Sequence, residues 1–231
     1  MFDGLLDYLK EHLPQKIIDG GYNCYEIFGK EAETPISDTI EEYLKAKGIS
    51  YIPHRSTNKN EFPDLELEIQ GTKFAMEYKV GIHSNKGDIE DSAANDMGTI
   101  NAYPKKVKKY GDNIYCTFVK YSVLNDDTID IEDIFFDKMY TFIGKRSDGE
   151  YLSYREKDGN LRPKNWDDMS NGTTYFHTRE EFQRALETTS KFRSERIVLK
   201  HLDNLDETSL KNIKNYVDQK IDQIDNQGHD E

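Results

Sequence analysis

The stretch FPDLELEIQGTKFAMEYKV (62–80) alternates apolar and polar side chains on both sides of one glycine, Gly71. A period of two on either side of a turn residue leaves an antiparallel hairpin as the natural reading. Gln-Gly is not a favoured hairpin dipeptide, yet with Gln70 and Gly71 at the turn the two strands fall into one consistent register. Ile69 then faces Thr72, Leu67 faces Phe74, Leu65 faces Met76, and Asp64 faces Glu77. One face is apolar, and the other carries Asp64, Glu66, Glu68, Lys73, Ala75, Glu77 and Lys79. Lys73 opposite Glu68 reads as a plain salt bridge, with Glu66 and Glu68 on a solvated edge. Asp64 and Glu77 are different. Directly opposed Cβ atoms lie roughly 4.5–5.5 Å apart, where like charges repel, so a cation belongs between them. Mg²⁺ suits the place, because it accepts one or two carboxylates, keeps several waters and uses phosphate oxygens for its other positions. Lys79, on the same face as Glu77, can reach a water or a phosphate beside it.

Around the hairpin the pattern alternates between helix and strand. Residues 2–13 predict a helix closed by Pro14. A second helix is predicted after Pro35, with Asp38 as N-cap, Glu41 three residues on, Ile40, Tyr43 and Leu44 along one face, and an end at Gly48. SYIPHR and NIYCTFVKYSV read as strands, and INAYPKKVKKY as a helix around a proline. IDIEDIFFDKMYTFIG fits strand or helix, DGEYLSYREKDGNLRP has the Asp-Gly signals of hairpins, and the tail from about 178 to 225 is mostly helical. In that tail Leu210, Ile213, Val217, Ile221 and Ile224 recur at helical spacing, as expected for packing on the domain or, second, for a dimer contact. The order is that of a single α/β domain over 1–231.

Pro63-Asp64, followed after twelve residues by Glu77-Tyr78-Lys79, resembles the motif of the PD-(D/E)XK nucleases, and it stands in that fold's order of elements. The resemblance covers about residues 36–166. It implies a restriction-endonuclease-like core, a central mixed β-sheet flanked by helices, with the helical C-terminal region as an elaboration. It also implies that Asp64 and Glu77 hold Mg²⁺ with the Tyr78 carbonyl, that Lys79 orients or deprotonates the attacking water, and that a helix glutamate, matched approximately by Glu41, supports the metal. The downstream segments look like those of type II restriction endonucleases. The activity so implied is Mg²⁺-dependent cleavage of both strands of double-stranded DNA at a specific site, leaving a 5′-phosphate, by a two-fold homodimer. Within the same resemblance stand a junction resolvase or mismatch nickase and a non-catalytic DNA-binding protein; an unrelated α/β interaction protein with incidental hairpin charges is the alternative outside it.

The net charge of −13 over 231 residues argues against indiscriminate binding of nucleic acid. The cations are concentrated, with 12 of the 31 Lys and Arg residues between 101 and 164. Lys105, Lys106, Arg162 and Lys164 are the expected phosphate contacts. The loop after Lys79 offers His83, Ser84, Asn85 and Lys86 as readers of base edges, with Asn95 and Asn101 beyond. The six histidines lack zinc-ligand spacing, and neither a Walker loop nor a dinucleotide fingerprint is present. Cys24 and Cys116 are too few for a disulfide framework, no apolar run approaches a membrane span, and the acid-bearing amphipathic start is unlike a signal peptide. The expected compartment is the cytoplasm.

Overall fold

The computed structural model describes residues 1–58, 61–82, 96–147 and 149–227, with 224–227 as backbone only. Two compact units are present, Met1–Glu187 and Thr188–Glu231.

The first unit is built on a five-stranded sheet in the order β1-β2-β3-β4-β5. The strands are β1 (Ile52–Arg55), β2 (Leu65–Ile69), β3 (Thr72–Ile82), β4 (Ile114–Val123) and β5 (Ile129–Lys138). Only the β3–β4 pair is parallel, so the sheet is mixed. The β2–β3 register is the one the alternation predicts: Leu65 opposite Met76, Leu67 opposite Phe74, Ile69 opposite Thr72. Its turn residues, Gln70 and Gly71, have φ of 52° and 76°. Two successive left-handed residues are what a two-residue hairpin turn needs to match strand twist, and here a glutamine takes the first place.

Helices cover both faces. On one side lie α1 (Leu5–Asp19), α2 (Tyr25–Glu31) and α3 (Glu33–Ala46), whose buried Leu5, Leu9, Ile36 and Ile40 join a core with Leu67, Met76 and Tyr78. On the other side α4 (Tyr103–Tyr110), a 3₁₀ turn (Met139–Phe142), α5 (Trp166–Ser170) and the start of α6 (Arg179–Leu202) share a core with Ala75, Cys116 and Phe118. The ambiguous segment after 128 resolves into β5 and the 3₁₀ turn. The Asp-Gly-rich segment after it makes bridges Lys145–Leu152 and Tyr154–Leu161, as its hairpin signals predict.

Two helix boundaries differ from expectation. α1 passes through Pro14 to Asp19, because Leu13 and Ile17 continue the buried stripe begun by Leu5 and Leu9; that burial offsets the backbone hydrogen bond a proline removes. α3 starts at Glu33, which puts Pro35 in the first turn, where a missing N–H costs nothing. Asp38 is therefore inside the helix, and its carboxylate accepts from Arg55 at 2.6 Å instead of capping.

The helical tail expected from about 178 begins with α6, where the Thr178 hydroxyl accepts from the Glu181 N–H at 3.1 Å and Glu181 accepts from His177 N–H at 2.7 Å. In the second unit, α7 (Glu207–Gln227) is opened by Asp206, which accepts from Ser209 N–H at 2.7 Å. It carries Leu210, Ile213, Val217 and Ile221 along one face and the ion pairs Lys211–Glu207 and Lys214–Asp218 at 2.6 Å. The side chain of Ile224 lies outside the described residues. Among the described residues no helix is long and apolar enough to cross a membrane.

Candidate active site

Strand alternation sends Tyr78 into one core and Glu77 and Lys79 to the opposite face. The Tyr78 hydroxyl accepts from Ser37 at 3.2 Å, while its N–H donates to Asp64 Oδ2 at 2.5 Å. Asp64 thereby closes the hairpin just before β2, in line with the register that brings it opposite Glu77. Lys79 Nζ donates to Glu77 Oε1 at 2.7 Å. The other oxygen of that carboxylate, Oε2, is buried and accepts no hydrogen bond. All three residues line a cleft of about 750 Å³ with Glu33, Asp96 and Lys106.

The electrostatics of this trio are unbalanced. Burial, and then the charge of Glu77, push the Asp64 carboxyl up to about 8, against the opposing pull of Lys79 and the Tyr78 N–H; Glu33 pushes it further up. Lys79 is held well above the ordinary lysine range, because the pull of Glu77 and Asp64 outweighs the burial that would lower it. Two acids thus share one ammonium, and one carboxylate oxygen has nothing to bind. A divalent cation between Asp64 and Glu77 meets both deficits. In a strand a residue's carbonyl leaves on the same side as its N–H, so the Tyr78 carbonyl is a third oxygen that could serve such a cation. Among the described residues no group of three or more His, Cys, Asp or Glu forms a ready cage. Two carboxylates, a carbonyl and waters form a donor set that suits Mg²⁺ rather than a zinc-type site.

The helix glutamate is where expectation and geometry part. Glu41 does not line the cleft: its Oε1 accepts from Arg55 Nε at 3.0 Å and its Oε2 from the Tyr51 hydroxyl at 3.1 Å. Glu33, two turns earlier on α3, does line it. Glu33 lies outside the helix that the sequence predicts after Pro35, although a proline in a helix's first turn is a signal for the earlier start.

Glu66 is not on a solvated edge. It is 8% exposed beneath α4, where Lys73 and Lys109 approach to 2.6 and 2.9 Å and the Tyr110 hydroxyl donates at 2.6 Å. Lys73 therefore pairs diagonally with Glu66, although its direct partner in register is Glu68. Those three donors outweigh the burial and hold the Glu66 carboxyl down at about 2.

The expected phosphate contacts divide. Lys105 is exposed on α4, whereas Lys106 turns into the cleft. Arg162 pairs with Asp96 at 2.9 Å. Lys164 is 7% exposed and donates to the Thr173 carbonyl at 2.7 Å. Such an ammonium ties loop to loop, so Lys164 is a structural cation where the sequence suggested a DNA contact. His83, Ser84, Asn85, Lys86 and Asn95 lie outside the described residues; Asn101 is exposed just before α4.

A family model described as NgoBV restriction endonuclease matches residues 33–224. Among solved structures, the chain is similar to one described as NlaIV restriction endonuclease, at 14% sequence identity and a TM-score of 0.49, over 85% of this chain and 91% of that chain. No curated protein sequence matches.

Proposed function

Taking as premise that the chain belongs to the NgoBV restriction endonuclease family, and is thus a type II restriction endonuclease with a PD-(D/E)XK core, we propose that it hydrolyses both strands of double-stranded DNA at a specific site using Mg²⁺. The observation that carries this reading is the buried Asp64–Glu77–Lys79 trio with its unpartnered Glu77 oxygen, open to a cleft.

Asp64, Glu77 and the Tyr78 carbonyl would hold the cation, with Glu33 acting through its waters. When bound, Mg²⁺ supplies charge neutralisation at the phosphate and a more acidic water. Lys79, protonated and fixed on Glu77, serves as a hydrogen-bond donor that orients the attacking water rather than as the base that deprotonates it. Asp64 is itself oriented by the Tyr78 N–H. The water oxygen bonds to phosphorus as its proton passes to solvent, the P–O3′ bond breaks, the departing O3′ takes a proton from water, and the products carry a 5′-phosphate and a 3′-hydroxyl. A cut in each strand by one trio per strand calls for a two-fold homodimer acting on DNA in the cytoplasm. Lys105 supplies backbone contact, and His83, Ser84, Asn85 and Lys86 follow directly on β3 as candidate base readers.

The test is incubation of the purified chain with plasmid and phage DNA, with Mg²⁺ or with EDTA, followed by mapping of the ends. Discrete Mg²⁺-dependent fragments with ligatable 5′-phosphates are expected. Intact DNA, or a smear without site preference, would overturn the reading.

A further inference from the structure

α4 is fastened to the hairpin from below, since Tyr110 and Lys109 both bind Glu66 on β2. Lys106 lies one turn before Tyr110 on the same helix face. Its ammonium sits 3.6 Å from the centroid of the Phe62 ring, and Phe62 is two residues ahead of Asp64. Among the described residues it has neither a carboxylate nor a carbonyl partner. Gly98 borders it on the other wall, with φ of +86°; a Cβ built there would come 2.9 Å from Lys106 Nζ. The backbone at Gly98 thus lies close against the ammonium where it enters the cleft. Burial and the charge of Lys79 lower the lysine's affinity for its proton, and Glu77 and then Asp64 act against that loss.

Lys79, by contrast, is committed to Glu77. Phosphodiester hydrolysis needs positive charge at the non-bridging oxygens as well as at the attacking water. We propose that Lys106 is a second catalytic lysine, leaving the Phe62 face when DNA enters and donating to a non-bridging oxygen of the scissile phosphate. This rests on the nuclease reading of the same cleft and adds the phosphate partner that reading lacks. A cation that merely grips the backbone would act on affinity; one that meets the scissile phosphate acts on the rate.

Lys106→Met keeps the stem over Phe62 and removes the charge, and Lys106→Arg restores the charge. On a short duplex carrying the mapped site, the single-turnover cleavage rate of K106M should fall by about 10²–10³-fold. Its affinity for the same duplex in Ca²⁺ should stay within about threefold of wild type, and K106R should regain about tenfold or more of the rate. If K106M does not retain the wild-type melting transition, Lys106→Gln is read in the same way. A K106M rate within about threefold of wild type overturns the proposal, as does weaker binding at an unchanged single-turnover rate. If wild-type protein cuts DNA and K106M cuts equally, this inference alone falls; if wild type cuts nothing, the nuclease reading falls with it.

Discussion

Lys79 donates to one oxygen of Glu77 at 2.7 Å and leaves the other oxygen of that carboxylate buried and without a hydrogen bond. With Asp64 lifted to about 8 beside it, the cleft's own side chains hold more buried acid than they can neutralise. Asp64→Asn keeps an acceptor for the Tyr78 N–H but removes a charge. The variant is expected to melt at the wild-type temperature or about 2–5 °C above it without metal, and to lose Mg²⁺-dependent cleavage by about a thousandfold or more. Cleavage within about tenfold of wild type would take Asp64 out of the metal set.

The same imbalance predicts stabilisation by metal. At about ten times its dissociation constant, Mg²⁺ or Ca²⁺ binding only the folded chain adds about 1.4 kcal/mol. Wild-type protein should therefore melt a few degrees higher with either ion, and Asp64→Asn should not. Equal shifts in both proteins would mean that the ions bind elsewhere.

Glu33 and Glu41 make a paired test. Glu33→Gln changes a group that borders the cleft and acts on Asp64, so cleavage should drop about 10–100-fold. Glu41→Gln disturbs the contacts with Arg55 and Tyr51; cleavage should stay within about threefold while stability falls by about 0.5–1.5 kcal/mol. The reverse ranking in a plasmid assay would restore Glu41 to the metal site.

Glu66 predicts an acid limb in the stability of the fold. Its carboxyl is held at about 2 against an ordinary 4.5. The stabilisation from its three donors is fully present above about 4.5 and is lost as pH falls toward 2. Glu66→Gln should melt below wild type at pH 6, and the gap should close between pH 4.5 and about 2.5. A gap that stays constant over that range would show that Glu66 contributes only packing.

Lys105 and Lys164 are expected to separate cleanly in salt titrations. Lys105→Ala should weaken binding to cognate and scrambled duplexes alike and lower the salt slope by up to about one. Lys164→Ala should leave the slope unchanged and lower the melting temperature, because it removes the donor to Thr173 from a buried site. A reduced slope for Lys164→Ala would put that cation on DNA.

What the sequence revealed follows the range of the interactions. The hairpin register, the opposition of Asp64 and Glu77 and the place of Lys79 all follow from a period of two, which is local. So do the strand at 114–123 and the proline-led α4. The errors came from contacts across elements. Pro14 is tolerated because Leu13 and Ile17 are buried against the sheet layer, and Asp38 is drawn from capping by Arg55 on β1. Lys164 looks like any basic surface residue until Thr173 is folded back upon it. Glu66 looks like a solvated acid until α4 lies over it with Lys109 and Tyr110. Glu33 is not legible because a proline reads equally as the residue before a helix and as a member of its first turn.

The bond from Tyr110 to Glu66 has a mechanical consequence. One carboxylate takes donors from its own hairpin and from α4, so the strand pair that precedes Tyr78 and the helix that carries Lys106 form one stiff jaw. A duplex is wider than a single phosphate, and something must give way to admit it. With that jaw bolted shut at Glu66, compliance falls to the opposite wall, the α2–α3 corner bearing Lys30 and Glu33. Hydrogen exchange should accordingly find the hairpin and α4 opening together as one slow unit, and that corner opening first.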